Sequence, residues 1–510
     1  MGLEKKDNIT IGIVGAGTMG RGIAQVAALS GMRVMLYDTN PGAIVSAKQF
    51  IEDMVNKAVI KEKITKEQAN TTMSLIETVD TLTAFSSCDV VIEAVVEDFN
   101  VKKDIFKKLE EIVSDNCIIT TNTSSLSVTA IASVCKNPKR VAGFHFFNPV
   151  PVMKLVEVVR GLATGDETIN ILVDLATRMD HVPVVTKDAP GFIVNHIGRG
   201  YGTESLAILS ENIADAYQID IILKQSAGFK MGPFELFDLT GLDISHTATE
   251  AIYNQFYHDP RYRPSFIAQN RLDGGLLGRK TGKGFYEYKN GKPLLHEKPK
   301  KEQNIDIKGT KFWVDNANKE GHDVIVSYLR SINVGIDTGA KPDEASVIVV
   351  SPIAEDATTT AINGNFDPER LVAVDTLMGF DKHRTIMSTP ITNKDIRELA
   401  CAVFSLDGVT VDLINDSPGF IVGRVIAMIV NIGCNVAEKG IATPEAIDLA
   451  VKLGLNYPFG PLEWGDKIGA LKILSILKFL YNFYGDPRYR PSPWLTRRAL
   501  LGIPLSTKVQ

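Results

Sequence analysis

Cysteine is scarce in this 510-residue chain, which has only Cys88, Cys117, Cys135, Cys401 and Cys434. The count is odd and no CxxC or Cys/His ligand spacing occurs, which argues against a disulfide framework or a zinc site and for free thiols in a reducing compartment. A dominant charge is also missing. With 55 Lys and Arg against 60 Asp and Glu, the formal net charge is −5, so electrostatics gives no case for a nucleic-acid or membrane partner. Long hydrophobic runs are absent too. None reaches the roughly 18 apolar residues expected of a membrane helix, and the longest stretch, Phe420–Cys434, is broken by Gly423, Arg424 and Asn431. Met1 to Thr10 is polar and charged, unlike a secretory signal. The expectation is a cytoplasmic protein with no metal, no nucleic-acid partner and no membrane association.

What is present is enough apolar residue for more than one core. Hydrophobic residues make up 45% of the chain and charged residues 23%, and single cores rarely grow beyond roughly 250–300 residues. The first chemistry-bearing pattern lies near the start. Ile9–Val14 reads as a short apolar strand, followed by Gly15-Ala16-Gly17-Thr18-Met19-Gly20 and a helical run through Leu29. This is GxGxxG between a strand and a helix, the context a dinucleotide fingerprint requires. Gly15 permits the tight turn, Gly17 lets the backbone approach a pyrophosphate, and Gly20 lets the helix pack closely on the sheet. A second strand, Arg33–Tyr37, ends in Asp38. An acid there accepts hydrogen bonds from ribose hydroxyls and repels a 2′-phosphate, which favours NAD over NADP. Alone, GxGxxG is a weak signal; with strand, helix and acid in register it becomes a strong one.

Two further strands continue the doubly wound pattern: Asp89–Val95, running on to Glu97, and Cys117–Thr121, running on to Thr123 and Ser124. Loops at the carboxyl ends of such strands face the ligand. Between the second and third strands lies a helical segment carrying Lys48, Lys57, Lys61, Lys63 and Lys66. It reads either as a solvated face or as a surface that meets an anionic substrate.

Residues 140–160 form two strand-like runs bridged by Asn148-Pro149-Val150-Pro151. His145 interrupts one and Glu157 the other, and each is costly to bury unpaired. Adjacent strands would bring the two together. A carboxylate on one imidazole nitrogen fixes the tautomer and raises the basicity of the other, as abstraction of a hydroxyl proton requires. From the pattern alone, a satisfied core pair and a catalytic pair stand equal; position at the cofactor end of the sheet favours catalysis.

The blocks GIVGAGTMGRGIAQVAA, TNTSSLS, GFHFFNPVPVMKLVEVVRG, DAPGFIVNHI and GRKTGKGFYEY resemble those of 3-hydroxyacyl-CoA dehydrogenases, in the same order, over about residues 9–290. The resemblance implies NAD as cofactor and an acyl-CoA substrate, with His145 as general base and Glu157 as its orienting partner. It implies Ser124 and Asn195 as hydrogen-bonding groups for the substrate's reacting oxygens and Asn148 as a residue that helps hold substrate and nicotinamide. Asp38, Glu97, Lys102 and Lys280 fall on positions that contact NAD in the family, and Lys61 on one near the coenzyme A nucleotide. Met54 stands where some members carry a polar residue. The reaction implied is reversible oxidation of a (3S)-3-hydroxyacyl-CoA to the 3-oxoacyl-CoA.

The second half repeats the first. Asp188-Ala189-Pro190-Gly191-Phe192-Ile193-Val194 recurs as Asp416-Ser417-Pro418-Gly419-Phe420-Ile421-Val422, an offset of 228 from Pro190 to Pro418. Asp259-Pro260-Arg261-Tyr262-Arg263-Pro264 recurs as Asp486-Pro487-Arg488-Tyr489-Arg490-Pro491, an offset of 227 from Asp259 to Asp486. The expected order is a Rossmann-type α/β NAD-binding domain over 1–188, an all-α domain over 189–290 and a linker over 291–323. A truncated, degenerate α/β unit over 324–414 and a second copy of the all-α domain over 415–510 complete it. The second α/β unit has no GxGxxG; Asp375 falls opposite His145 and Gly423 opposite Asn195. One active site per chain is therefore expected. The paired helical copies are expected to pack as an internal pseudo-dimer, and the chain can form a homo-oligomer.

The long form with two helical repeats resembles family members that act on short-chain or dicarboxylic acyl groups, such as 3-hydroxybutyryl-CoA, in fatty-acid β-oxidation or phenylacetate degradation. Arg199, one helical turn after Asn195, reads either as an anchor for a carboxylate tail or as a structural arginine. Two other readings stand beside this one: another NAD-linked hydroxyacid dehydrogenase, or a non-catalytic NAD-binding scaffold.

Overall fold

A computed structural model describes residues 8–294 and 309–508. Most of the expected linker, residues 295–308, lies outside the described residues. Regular structure resumes at Lys311, ahead of the expected boundary at 324, and the apolar run Asp323–Leu329 lies on a helix, Lys319–Ser331.

The chain forms two compact units. One holds the chain up to His196 together with Lys439–Leu455; the other holds Ile197–Glu438 and the chain from Asn456 onward. The division does not follow the linear order of the repeats, because the helix Pro444–Gly454 belongs to the first unit.

The first unit is built on an eight-stranded sheet. Its strands are β1 (Thr10–Val14), β2 (Arg33–Tyr37), β3 (Ile76–Thr78), β4 (Val90–Glu93), β5 (Ile118–Thr121), β6 (Val141–Phe146), β7 (Leu155–Arg160) and β8 (Val182–Lys187). Their order is β3-β2-β1-β4-β5-β6-β7-β8, and every neighbouring pair is parallel except β6/β7. The strands are apolar because both faces are covered. Ile11, Ile13, Val34, Leu36 and Ile92 pack into one core; Val14, Val91, Phe106, Leu109 and Ile119 pack into another. A short connection, residues 147–154, joins β6 to β7, and an antiparallel pair needs no crossover helix. This reversal sets His145 directly opposite Glu157 in the register.

The second unit opens within the helix Val194–Ser210 and continues with helices Ala216–Ser226, Pro233–Thr240, Leu242–Gln255 and Phe266–Asp273, then a small hairpin of β9 (Tyr288–Lys289) and β10 (Lys292–Pro293). A second sheet follows. Its strands are β11 (Lys311–Val314), β12 (Gly335–Asp337), β13 (Val347–Val350), β14 (Leu371–Val374), β15 (His383–Ser388) and β16 (Thr410–Ile414), in the order β12-β11-β13-β14-β15-β16. Only β14/β15 is antiparallel. The helices Val422–Glu438, Pro461–Ile468, Ala470–Tyr484 and Pro493–Leu501 complete the unit. Val422–Glu438 is mostly apolar and wholly buried through Ala437, with Arg424, Asn431 and Asn435 buried among its apolar residues, so it is a core helix. Among the described residues no helix is long and apolar enough to cross a membrane. All five cysteines are free thiols.

Candidate active site

The turn after β1 has the shape its glycines predict. Gly15 adopts φ +108°, and a Cβ there would lie 2.5 Å from the Ala94 carbonyl oxygen. A Cβ on Gly20 would lie 1.8 Å from the Gly15 carbonyl oxygen, whereas one on Gly17 would meet nothing within 4 Å. Thus two glycines are required by packing, and the third faces open space. The helix Thr18–Leu29 has no side-chain cap and no acid in its first turn, so its free N–H groups and positive dipole end remain available to an anion. Asp38 ends β2; its carboxylate accepts from Ala16 N at 2.7 Å and Asn40 N at 2.8 Å. Those bonds fix the acid beside the glycine turn and leave a second acceptor site on each oxygen. These residues fit a dinucleotide.

At the carboxyl end of β4 and β5 the side chains form a bonded cluster. Lys102, 1% exposed, donates to Glu93 Oε1 at 2.7 Å and meets Glu97 Oε2 at 3.2 Å. The other Glu93 oxygen accepts from Thr121 Oγ1. Glu97 Oε1 gathers the Thr123 hydroxyl, the Ser124 and Ser125 N–H groups and the Ser125 hydroxyl. Burial would push the Glu97 carboxyl up, but the Lys102 ammonium and these hydrogen bonds outweigh it and hold it below its usual range. The loop that carries Ser124 is therefore clamped by Glu97. Glu93 escaped the sequence reading, although an acid inside the apolar run Asp89–Val95 was its signal.

His145 and Glu157 meet as expected. Glu157 is fully buried and His145 is 5% exposed. His145 Nδ1 lies 2.7 Å from Glu157 Oε2, while Glu157 Oε1 accepts from Ile193 N at 2.9 Å and Val194 N at 3.0 Å. A buried acceptor left unpaired costs about 1–3 kcal/mol, more when charged; here both oxygens are satisfied. The same two N–H groups open the helix Val194–Ser210, so Asn195 enters its first turn beside the pair. The rings of Phe147 and Phe192 lie 4.5 and 5.8 Å from that of His145. Neither ring was assigned a role from sequence; their only signal was adjacency to the polar motifs. Asn122 Oδ1 accepts from Phe146 N at 2.8 Å, tying the Ser124 loop to β6. Asp188 accepts from Ser127 Oγ, Val128 N and Thr129 N, and so caps the helix that follows that loop.

Asn148 is exposed in the β6–β7 connection, and Lys61 is exposed at the C-terminal end of the helix Pro41–Ile60. Lys280 and Arg199 lie in the second unit. Lys280 pairs with Asp243, and Arg199 Nη1 donates to Thr249 Oγ1 at 2.6 Å and to the Ser245 carbonyl at 3.2 Å. Among the described residues no group of three or more His, Cys, Asp or Glu could hold a metal ion.

A glycine-turn nucleotide site and a histidine–carboxylate pair at one end of a doubly wound sheet define a nicotinamide-dependent dehydrogenase. Comparisons with known proteins give its family. Residues 10–189 match the 3-hydroxyacyl-CoA dehydrogenase NAD binding domain, and residues 191–288 and 419–504 match the 3-hydroxyacyl-CoA dehydrogenase C-terminal domain. The chain is 37% identical to the 3-hydroxyadipyl-CoA dehydrogenase of Escherichia coli K12 over 492 residues, 96% of this chain and 98% of that one. A probable 3-hydroxybutyryl-CoA dehydrogenase of Deinococcus radiodurans is 40% identical over 277 residues, 54% of this chain and 99% of its own. The crystal structure of a 3-hydroxybutyryl-CoA dehydrogenase from Escherichia coli K12 matches with TM-score 0.85 at 36% identity, covering 97% of this chain and 98% of that one. The chain belongs to the 3-hydroxyacyl-CoA dehydrogenase family. It is an NAD-dependent enzyme of that class.

Proposed function

We propose that the chain interconverts (3S)-3-hydroxyacyl-CoA and 3-oxoacyl-CoA at one site in the first unit, with His145 as the proton-transferring group and Glu157 as its partner. The observation that carries this reading is the 2.7 Å contact between His145 Nδ1 and Glu157 Oε2. With Nδ1 donating to the carboxylate, Nε2 is left as the acceptor that takes the C3 hydroxyl proton. NAD, when bound, supplies the acceptor for the hydride that leaves C3. Glu157 holds the imidazole in one tautomer, and Ile193 and Val194 hold Glu157. Ser124 and Asn195 bind the substrate's reacting oxygens, and Asn148 helps orient substrate against the nicotinamide. Gly15, Gly17, Gly20 and Asp38 cradle the dinucleotide. Glu97 and Lys102 shape its nicotinamide end; since Lys102 is buried between Glu93 and Glu97, it works through Glu97. Lys61 meets the coenzyme A nucleotide.

A short-chain or dicarboxylic acyl group is favoured by the printed names of the relatives, which act on 3-hydroxyadipyl-CoA and 3-hydroxybutyryl-CoA. Degradation of fatty acids or phenylacetate in the cytoplasm suits such a substrate. The second sheet and the helices from Val422 onward are read as a worn copy. In the second unit the paired DPRYRP segments meet, with Arg261 Nη2 donating to the Arg490 carbonyl at 3.2 Å and Arg263 bonded to Asp486 at 3.1 Å. These contacts support an internal pseudo-dimer of helical copies.

The test is NADH oxidation with acetoacetyl-CoA. Wild type turns over with NADH and far less with NADPH, and His145→Ala loses about two to four orders of magnitude in kcat/KM. Inactive wild type that still binds NADH would favour a non-catalytic scaffold, unless a longer or dicarboxylic 3-oxoacyl-CoA restores turnover.

A further inference from the structure

We infer that His181 is a positioning residue whose imidazole donates from both ring nitrogens, locking the β6–β7 connection onto the end of the helix Asp166–Arg178. The ring is 3% exposed, with Nδ1 2.7 Å from the Met179 carbonyl oxygen and Nε2 3.0 Å from the Val150 carbonyl oxygen. Carbonyl oxygens only accept. A ring with a single N–H would set one lone pair against another, and an unmet buried acceptor costs about 1–3 kcal/mol. Two N–H donors satisfy both contacts.

The ring also stands at a helix end. Met179 is the C-cap residue of the helix, and the His181 N–H donates to the Ala176 carbonyl at 3.0 Å, so the ring sits at the negative end of the helix dipole. The charged groups at this corner are Asp180 and Lys154, bonded to each other at 2.7 Å, with the Asp180 side chain 85% exposed. Hydrogen bonding and charge from Lys154, helped by His181, hold the Asp180 carboxyl below its usual range. The Phe146 ring, from β6, stands T-shaped to the imidazole at 5.4 Å.

The connection held in this way is the one that matters. Val150 is 1% exposed, and its side chain packs over Gly22 of the glycine-turn helix, where an added Cβ would lie 3.0 Å from it. His181 fixes its carbonyl. Asn148 lies two residues before it, and His145 precedes the connection on β6. A displaced connection would shift both, and a misplacement of about 1 Å can cost up to about 10²-fold in rate. This step rests on the roles proposed above for His145 and Asn148.

The experiment has two parts, both on the full chain. In wild type labelled with nitrogen-15 in its histidine rings, at neutral pH, the His181 signals, assigned by their loss in His181→Gln, should report protons on both nitrogens. A single protonated nitrogen overturns the proposal. In steady-state acetoacetyl-CoA reduction, His181→Asn keeps a donor for Met179 but cannot reach Val150; His181→Gln reaches Val150. The Asn variant should lose about ten-fold in kcat, with NADH KM nearly unchanged, and the Gln variant should stay within about three-fold of wild type. Equal kcat in the two variants overturns the positioning role. If neither variant folds, assigning the His181 ring in wild type through its couplings to its own backbone lets those signals still decide. Activity surviving in His145→Ala would sink the proposed chemistry instead, leaving the two-donor result untouched.

Discussion

The two sheets of this chain share an ending and differ in what it carries. In both, the last four strands pair parallel, antiparallel, parallel: β5/β6, β6/β7 and β7/β8 in the first, and β13/β14, β14/β15 and β15/β16 in the second. In the first, the antiparallel register sets His145 against Glu157. In the second, the register ends at Val374 against Ile386, and just past it the Asp375 N–H donates to the Thr385 carbonyl. The Thr385 hydroxyl is buried with no hydrogen-bond partner among the described residues. What the two share is scaffolding. Asp188 caps the helix Val128–Ala132 and Asp416 caps the helix Ala357–Gly364, each through two backbone N–H groups and a hydroxyl. The Lys187 N–H donates to the Ile441 carbonyl at 2.8 Å in the first unit, and the Asn415 N–H to the Ile213 carbonyl at 2.9 Å in the second.

The nucleotide ends differ in the same sense. The helix after β1 has an open N-terminus. The helix after β11 is capped by its own Asn318, which accepts from the Gly321 N–H at 3.3 Å, and carries Glu320 in its first turn. A cleft of about 390 Å³ opens there, lined by Asp315, Glu320, Glu355 and Lys472 among others. Lys472 is already bonded to Glu320. Acids at a capped helix start disfavour a pyrophosphate. Among the described residues, then, the two sheets share caps and closing strand directions, whereas the glycine turn and the His145–Glu157 pair stand in the first.

Beyond His145→Ala, three substitutions sharpen this contrast. Glu157→Gln offers an amide to either imidazole tautomer and should lower kcat/KM by about 10²–10³-fold without unfolding the chain, read by steady-state kinetics beside far-ultraviolet dichroism. Arg424→Met tests the scaffold alone. Arg424 is fully buried against Glu204 and Glu211, so removing it leaves Glu204 to Arg488 and Tyr489 alone and should cost about 1–3 kcal/mol in the second unit's unfolding transition. Asp375→Asn should have the smallest effect. Burial, against a hydrogen bond from Leu377 and the charge of His383, pushes the Asp375 carboxyl up to about 6. Between its ordinary value and that one, the folded chain holds the proton that the unfolded chain releases, so stability falls as pH rises from about 4 to about 6, by about 3 kcal/mol at most. The Asn variant should flatten that slope in melts at a series of pH values and leave turnover unchanged.

The nucleotide turn was legible because its spacing, strand and acid are local. So was the helical repeat, since its offset persists through Asp259 and Asp486. The His145–Glu157 pairing was legible in outline, because each residue interrupts an apolar strand and a short connection forces the reversal. Long-range partners were not legible. The clamp of Glu97 on Ser124, the buried Lys102 between two glutamates and the hold of Ile193 and Val194 on Glu157 depend on crossovers that no periodicity encodes. Membership of the helix Pro444–Gly454 in the first unit, where it packs on β7 and β8, was equally hidden. Its sequence matches the helix Ala216–Ser226, which packs on β15 in the second unit.

The central claim, one reaction site per chain in the first sheet, is tested most directly by counting bound NADH in equilibrium dialysis. The account predicts one NADH per chain at saturation, and none when Gly20→Val drives a side chain into the Gly15 carbonyl while the second sheet is left untouched. Two bound NADH molecules, or one that survives the substitution in a folded chain, would contradict it.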